Sequence, residues 1–194
     1  MKIKAFASRN AKEILRDPLS YIFCLGFPVV MLVIMTIVNE SIPPEAGMDI
    51  FNIDKLSPGV TVFGLTFVML FTTILISKDR STAFLARLCG APMKSWEFLA
   101  GYILPVFVIA LLQGLITYAA SWVISLIKGE PLNILSMLIS LGALVPAIVL
   151  FISLGVVFGS LFSERAAPGV SSILIRYLPY WEASGWILRP WEVR

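Results

Sequence analysis

Long apolar runs alternate with short polar breaks along this chain. Leu19 to Val38, Pro58 to Ser77, Phe98 to Ile127 and Leu132 to Phe162 each lack Asp, Glu, Lys and Arg. About twenty helical residues cover the roughly 30 Å of a bilayer's hydrocarbon. The pattern therefore predicts four membrane-spanning helices. The third run is longer than one crossing needs, so it must tilt, kink or protrude. Pro28, Pro105 and Pro146 fall inside runs, where proline removes a helical donor and favours a bend. A fifth apolar stretch starts at Val170, after Pro168-Gly169, and is interrupted by charge at Arg176.

The breaks have their own character. Residues 1–17 interleave Lys2, Lys4, Arg9, Lys12 and Arg16 with Ile3, Phe6, Ala7, Ile14 and Leu15. That spacing fits a basic amphipathic helix at the membrane surface, ended by Pro18; a flexible basic tail is the other reading. Asn39 to Ser57 is a polar loop with Pro43-Pro44 and Gly47, and Lys128-Gly129-Glu130-Pro131 is a tight turn. The first apolar run carries no small-residue cleavage site at its end, so it reads as a retained span.

Charge sets an expected topology. Five basic residues and two acids precede the first run, whereas the next loop carries four acids and one base. The following island has Lys78, Arg80, Arg87 and Lys94 against Asp79 and Glu97. The positive-inside rule places the N-terminus and the island in the cytoplasm, in a multi-pass protein of the cell membrane. The composition agrees: 58% of residues are hydrophobic and 14% charged, against about 25% charged in soluble domains.

Chemistry is sparse. The chain has no histidine and two cysteines, Cys24 and Cys89, so neither a metal cluster nor a disulfide framework is indicated. No paired carboxylates or nucleophile elbow appears. The runs hold no ionisable group of the kind that carries protons in ion-coupled transporters. No phosphate-binding G-x-x-x-x-G-K-[ST] motif is present, so energy from ATP would need a separate subunit. Gly155 and Gly159 form a small-xxx-small pair, suited to packing within the chain or between chains. Gln113 is the most polar side chain deep in a run, and two roles fit it: lining a substrate path or hydrogen-bonding a neighbouring helix.

The island from Ser77 to Tyr102 is the most specific feature. A helical register puts Arg80, Phe84, Arg87 and Leu88 on one face, with Pro92 closing the helix. From spacing alone this is either a docking helix or an ordinary interfacial loop. Its order of Asp79-Arg80, Ala83, Phe84, Arg87-Leu88, Pro92 and Gly101-Tyr102 resembles the first cytoplasmic loop of ABC-2-type transporter permeases. The stretch Arg9 to Pro18 resembles that family's elbow before the first span, where Lys12, Glu13, Arg16, Asp17 and Pro18 lie. Ser163 to Ile175 resembles its entry into span five. Ala83 departs from the family pattern, where glycine is frequent.

The resemblance implies an all-α, polytopic transmembrane bundle with an N-terminal interfacial helix, four full spans and an incomplete fifth. It implies a permease subunit of an ATP-driven exporter, close to multidrug efflux systems, for a hydrophobic or amphipathic substrate. Asp79, Arg80, Ala83, Phe84, Arg87, Leu88 and Pro92 would contact an ATPase subunit, with a weaker contact from Glu164 and Arg165. ATP would bind that subunit, and no cofactor, metal or nucleic acid is expected on this chain. A second permease chain, identical or a sister, would complete the path.

The resemblance covers residues 1–175 and leaves 176–194 as an aberrant tail. That tail, RYLPYWEASGWILRPWEVR, fits an interfacial segment rich in Trp and Tyr. It also fits a shifted reading frame. Tyr180-Trp181-Glu182 is encoded TAY TGG GAR, and reading from the third base of the tyrosine codon gives Leu, Gly, then Gly or Ser. The codons that follow permit Ile-Trp-Met, and such a phrase resembles the family's span five. Two other functional readings stand beside the exporter: a non-transporting membrane scaffold or regulatory subunit, and a non-functional truncated remnant.

Overall fold

The computed structural model describes residues 2–41, 52–82, 94–129, 134–163, 165–166 and 169. They form helices α1 (Lys2–Arg16), α2 (Pro18–Tyr21), a π-helical turn (Ile22–Gly26), α3 (Phe27–Ser41), α4 (Ile53–Ser81), α5 (Ser95–Lys128) and α6 (Ile134–Leu161). Four helical stretches are long and apolar enough to cross a membrane: Pro18–Ser41, Ile53–Ser81, Trp96–Lys128 and Leu135–Leu161. The tail from Arg176 lies outside the described residues.

The spans run past the apolar stretches that predict them. Helix α4 starts at Ile53 and ends at Ser81, beyond Pro58 and Ser77, because its charged ends stay helical. Asp54 in its first turn and Lys78 and Arg80 in its last also complement the helix dipole. Helix α5 opens with a capping box, in which Glu97 accepts from the Lys94 amide at 3.0 Å. It closes at Gly129, whose φ of 74° is the left-handed conformation that glycine adopts without strain.

Helix α4 is the central element. Its most apolar stretch is 61% buried, against 24% for the first span, 39% for α5 and 28% for α6. Helix α6 packs parallel to it through two glycines. A Cβ on Gly155 would approach the Thr72 side chain at 2.8 Å and the Met69 carbonyl at 2.9 Å; on Gly159 it would meet Ile76 at 2.7 Å and the Thr73 carbonyl at 2.9 Å. This close approach lets Thr73 Oγ1 donate to the Gly155 carbonyl at 3.2 Å. The small-xxx-small pair thus packs within the chain.

Helix α5 runs antiparallel to α4 along a polar seam. Gln113, Thr117, Ser121 and Ser125 repeat every fourth residue on α5 and are buried, as are Ser57 and Thr61 on α4. Ser57 donates to Ser121 at 2.7 Å, and Gln113 Nε2 donates to the Thr61 carbonyl at 3.2 Å. The hydroxyls of Thr117 and Ser121 also bond carbonyls one turn back, at 2.9 Å each, so their polarity is satisfied internally. Leu104, Val108, Leu115, Val123, Leu138, Val149 and Val157 point outward instead. Polar seams inside and apolar faces outside are the arrangement that hydrocarbon requires.

Candidate functional site at the junction of α1, α4 and α5

Helix α1 is seated on the bundle by a socket built into α5. Pro105 has no N–H, so the Gly101 carbonyl four residues earlier loses its helical donor. Asn10, fully buried on α1, supplies one: its Nδ2 donates to Gly101 O at 3.0 Å. Gly101 has no Cβ, and the Phe6 ring occupies the space a Cβ would take. Phe6 stacks on Phe98 with centroids 5.8 Å apart and meets Tyr102 edge-on at 5.0 Å. One turn of α1, from Phe6 to Asn10, therefore fits one turn of α5, from Gly101 to Pro105.

Beside the socket is an ion-paired cluster. The carboxylate of Asp79, on the last turn of α4, is 2% exposed as a residue. Arg9 grips it with both guanidinium nitrogens at 2.9 Å, and Tyr102 donates its hydroxyl to Asp79 Oδ2 at 2.7 Å. Glu13 pairs with Arg9 at 3.0 Å and with Lys78 at 3.0 Å. The hydrogen bonds to Asp79 raise the Arg9 guanidinium further above its usual range, against the opposing pull of burial; attraction to Asp79 and Glu13 adds to the rise. A bidentate guanidinium–carboxylate pair fixes orientation as well as distance. The cluster thus locks three helices, α1, α4 and α5, at the point where α4 leaves the bundle.

The elbow is a separate construction. Helix α1 stops at Arg16, and Asp17 caps the next helix, accepting from the Leu19 amide at 3.2 Å and the Ser20 hydroxyl at 2.6 Å. Pro18 fills the first position of that helix, where its missing donor costs nothing. A π-helical turn, Ile22–Gly26, then lies just before Pro28.

The residues singled out from sequence divide three ways. Glu13 joins the ion-paired cluster, Asp17 and Pro18 form the elbow, and Lys12 and Arg16 are exposed on α1. Asp79 is turned inward to Arg9 and Tyr102, whereas Arg80 beside it is exposed, as is Arg165. Gln113 lies in the α4–α5 seam, and Gly155 and Gly159 are on α6 where it packs against α4. Ala83, Phe84, Arg87, Leu88, Pro92 and Glu164 lie outside the described residues.

Sequence reasoning missed Arg9, Asn10, Tyr102 and the Gly101–Pro105 socket as one unit. Only Gly101 four residues before Pro105, and Phe6 four residues before Asn10, hinted at it. Among the described residues no group of three or more His, Cys, Asp or Glu side chains is placed to hold a metal ion. The cluster's charges are paired with one another across α1, α4 and α5.

Four membrane-length helices around a buried polar seam, with an amphipathic helix clamped to one end, define a polytopic α-helical membrane protein. The sequence profile of the ABC-2 type transporter family matches residues 1–178, and the chain belongs to that family. It is a permease-type membrane protein, and that membership implies an ATPase partner. Searches of curated proteins and of solved structures return no match.

Proposed function

We propose that the chain is the permease subunit of an ATP-driven exporter, whose ATPase subunit docks on the segment 83–93 and moves a hydrophobic or amphipathic substrate across the cell membrane. The carrying observation is the joint at the root of that segment. Asp79, three residues before Thr82 ends the α4 turn, is tied to α1 through Arg9 and to α5 through Tyr102. A push on the docked segment would therefore reach α4, α1 and α5 together instead of bending one helix end. Phe84 and Leu88 serve as apolar anchors in a cleft of the ATPase, with Arg80 and Arg87 as flanking cations; Glu164 and Arg165 add a second contact.

The charge distribution supports a cytoplasmic N-terminus, which puts α1, the joint and the docking segment on the side where ATP is found. ATP binds the partner subunit, and a second permease chain completes the substrate path. In this reading residues 176–194 are the product of a shifted frame, supported by the codon pattern at Tyr180 to Val193 and tested by sequencing that DNA in independent isolates.

Co-purification tests the docking. Tagged protein extracted from its native membranes is expected to bring down an ATPase subunit, and Phe84→Asp with Arg87→Glu to lose it by tenfold or more, about 1.4 kcal/mol of binding. Equal recovery with the substituted protein would favour a scaffold that binds by another surface.

A further inference from the structure

Helix α1 has two different flanks. On one side, with Leu104, Val108 and Leu112 of α5, it encloses an apolar groove of about 350 Å³, to which Ala7 and Leu15 contribute from α1. On the other side lies a polar cleft of about 760 Å³ between α1 and the end of α4, where Lys78 projects. Ser8 lines both, Lys4 lines the groove, and Lys12 and Arg16 line the cleft. Lys4, Ser8, Lys12 and Arg16 recur every fourth residue, so they form one exposed stripe along the ridge between the two spaces.

We propose that this ridge and groove hold one anionic phospholipid, with its phosphate on the Lys4–Ser8–Lys12 stripe and an acyl chain in the groove against Leu104, Val108 and Leu112. The stripe carries three cations and no acid. The acids nearby are engaged elsewhere: Glu13 pairs with Arg9 and Lys78, and Asp17 caps α2. Lys4, Lys12 and Arg16 have no ion-pair partner among the described residues, and the Ser8 hydroxyl makes no hydrogen bond there. The groove beside them runs along Leu104 to Leu112 of α5, within a helix long and apolar enough to cross a membrane, so an acyl chain suits it better than water. An occupant that satisfies both parts must be negative at one end and apolar at the other. A free anion would leave the groove without a ligand, and a neutral hydrophobe would leave the cations unanswered. A basic amphipathic helix at the headgroup level attracts anionic lipid with about 1 kcal/mol per cation.

Competition between lipids tests this. The full chain is reconstituted in nanodiscs with equal phosphatidylglycerol and phosphatidylcholine of matched chains, released, and examined by native mass spectrometry. The wild type should retain one phosphatidylglycerol in preference to phosphatidylcholine. Lys4→Gln and Lys12→Gln should each reduce that retention about fivefold. These side chains are exposed, so the variants fold, and monodisperse elution checks it. Val108→Trp, which fills the groove, should lower retention of both lipids. Equal retention of the two lipids by the wild type would overturn the proposal. So would undiminished phosphatidylglycerol in the lysine variants, or its complete displacement by inorganic phosphate, which would mark a plain anion site.

Discussion

Removing Arg9 should damage this protein more than removing Glu13, although both are charged residues of one cluster. Arg9→Ala would leave the Asp79 carboxylate, 2% exposed, with only the Tyr102 hydroxyl. Stripping one partner from a buried pair costs about 3–5 kcal/mol. Glu13→Ala removes pairs whose partners Arg9 and Lys78 are 36% and 51% exposed, each worth about 0.2–1 kcal/mol. Denaturant unfolding in nanodiscs should resolve the two; equal losses would show that Asp79 finds another partner. The charge of Asp79 and its place at the foot of the island were legible in the sequence. Its partner was not, because Arg9 is 70 positions away and no local pattern encodes a contact across that distance.

At the scale of elements, the same physics explains what could be read and what could not. The four spans were legible because hydrocarbon demands about twenty apolar residues in a row. Their ends were not, since Ile53–Ser57, with Asp54 and Lys55, and Lys78–Ser81 interrupt the apolar run with charge yet remain helical. An amphipathic α1 was legible from the spacing of Ile3, Phe6, Ala7 and Ile14. Its seat on α5 was hidden, because that depends on a carbonyl freed by Pro105 and a missing Cβ at Gly101. Asn10→Ala should expose that freed carbonyl at a cost of about 1–3 kcal/mol. Hydrogen exchange would report it: amides of α1 should exchange faster while those of α6, held to α4 through Gly155 and Gly159, keep their protection. Uniform acceleration across the bundle would mean that α1 is no separable unit.

At the scale of the molecule, α4 and α5 meet at two polar places: the joint of Asp79 with Tyr102, next to the segment where an ATPase would dock, and the seam of Ser57 and Thr61 with Ser121 and Gln113 toward the opposite ends of both helices, with the apolar packing of Leu65, Val68, Val106 and Ala110 between them. The seam is built from Ser, Thr and Gln, whose hydrogen bonds hold helices together without burying charge. Membership in the ABC-2 type transporter family supplies the expectation of an external motor; under the proposed function the joint would be a route for its stroke. The most direct measurement is ATP hydrolysis by the reconstituted permease–ATPase complex, with binding of the ATPase measured alongside. Arg9→Met and Tyr102→Phe should keep ATPase binding within about twofold, since neither residue belongs to the docking segment. Both should lower the permease-dependent hydrolysis rate, the Arg9 variant by about tenfold, equivalent to about 1.4 kcal/mol of barrier. Placing the pair in reverse, Arg9→Asp with Asp79→Arg, should recover part of the lost rate. Unchanged hydrolysis in the Arg9 and Tyr102 variants, with binding intact, would contradict the account: the joint would then hold the fold without carrying the stroke.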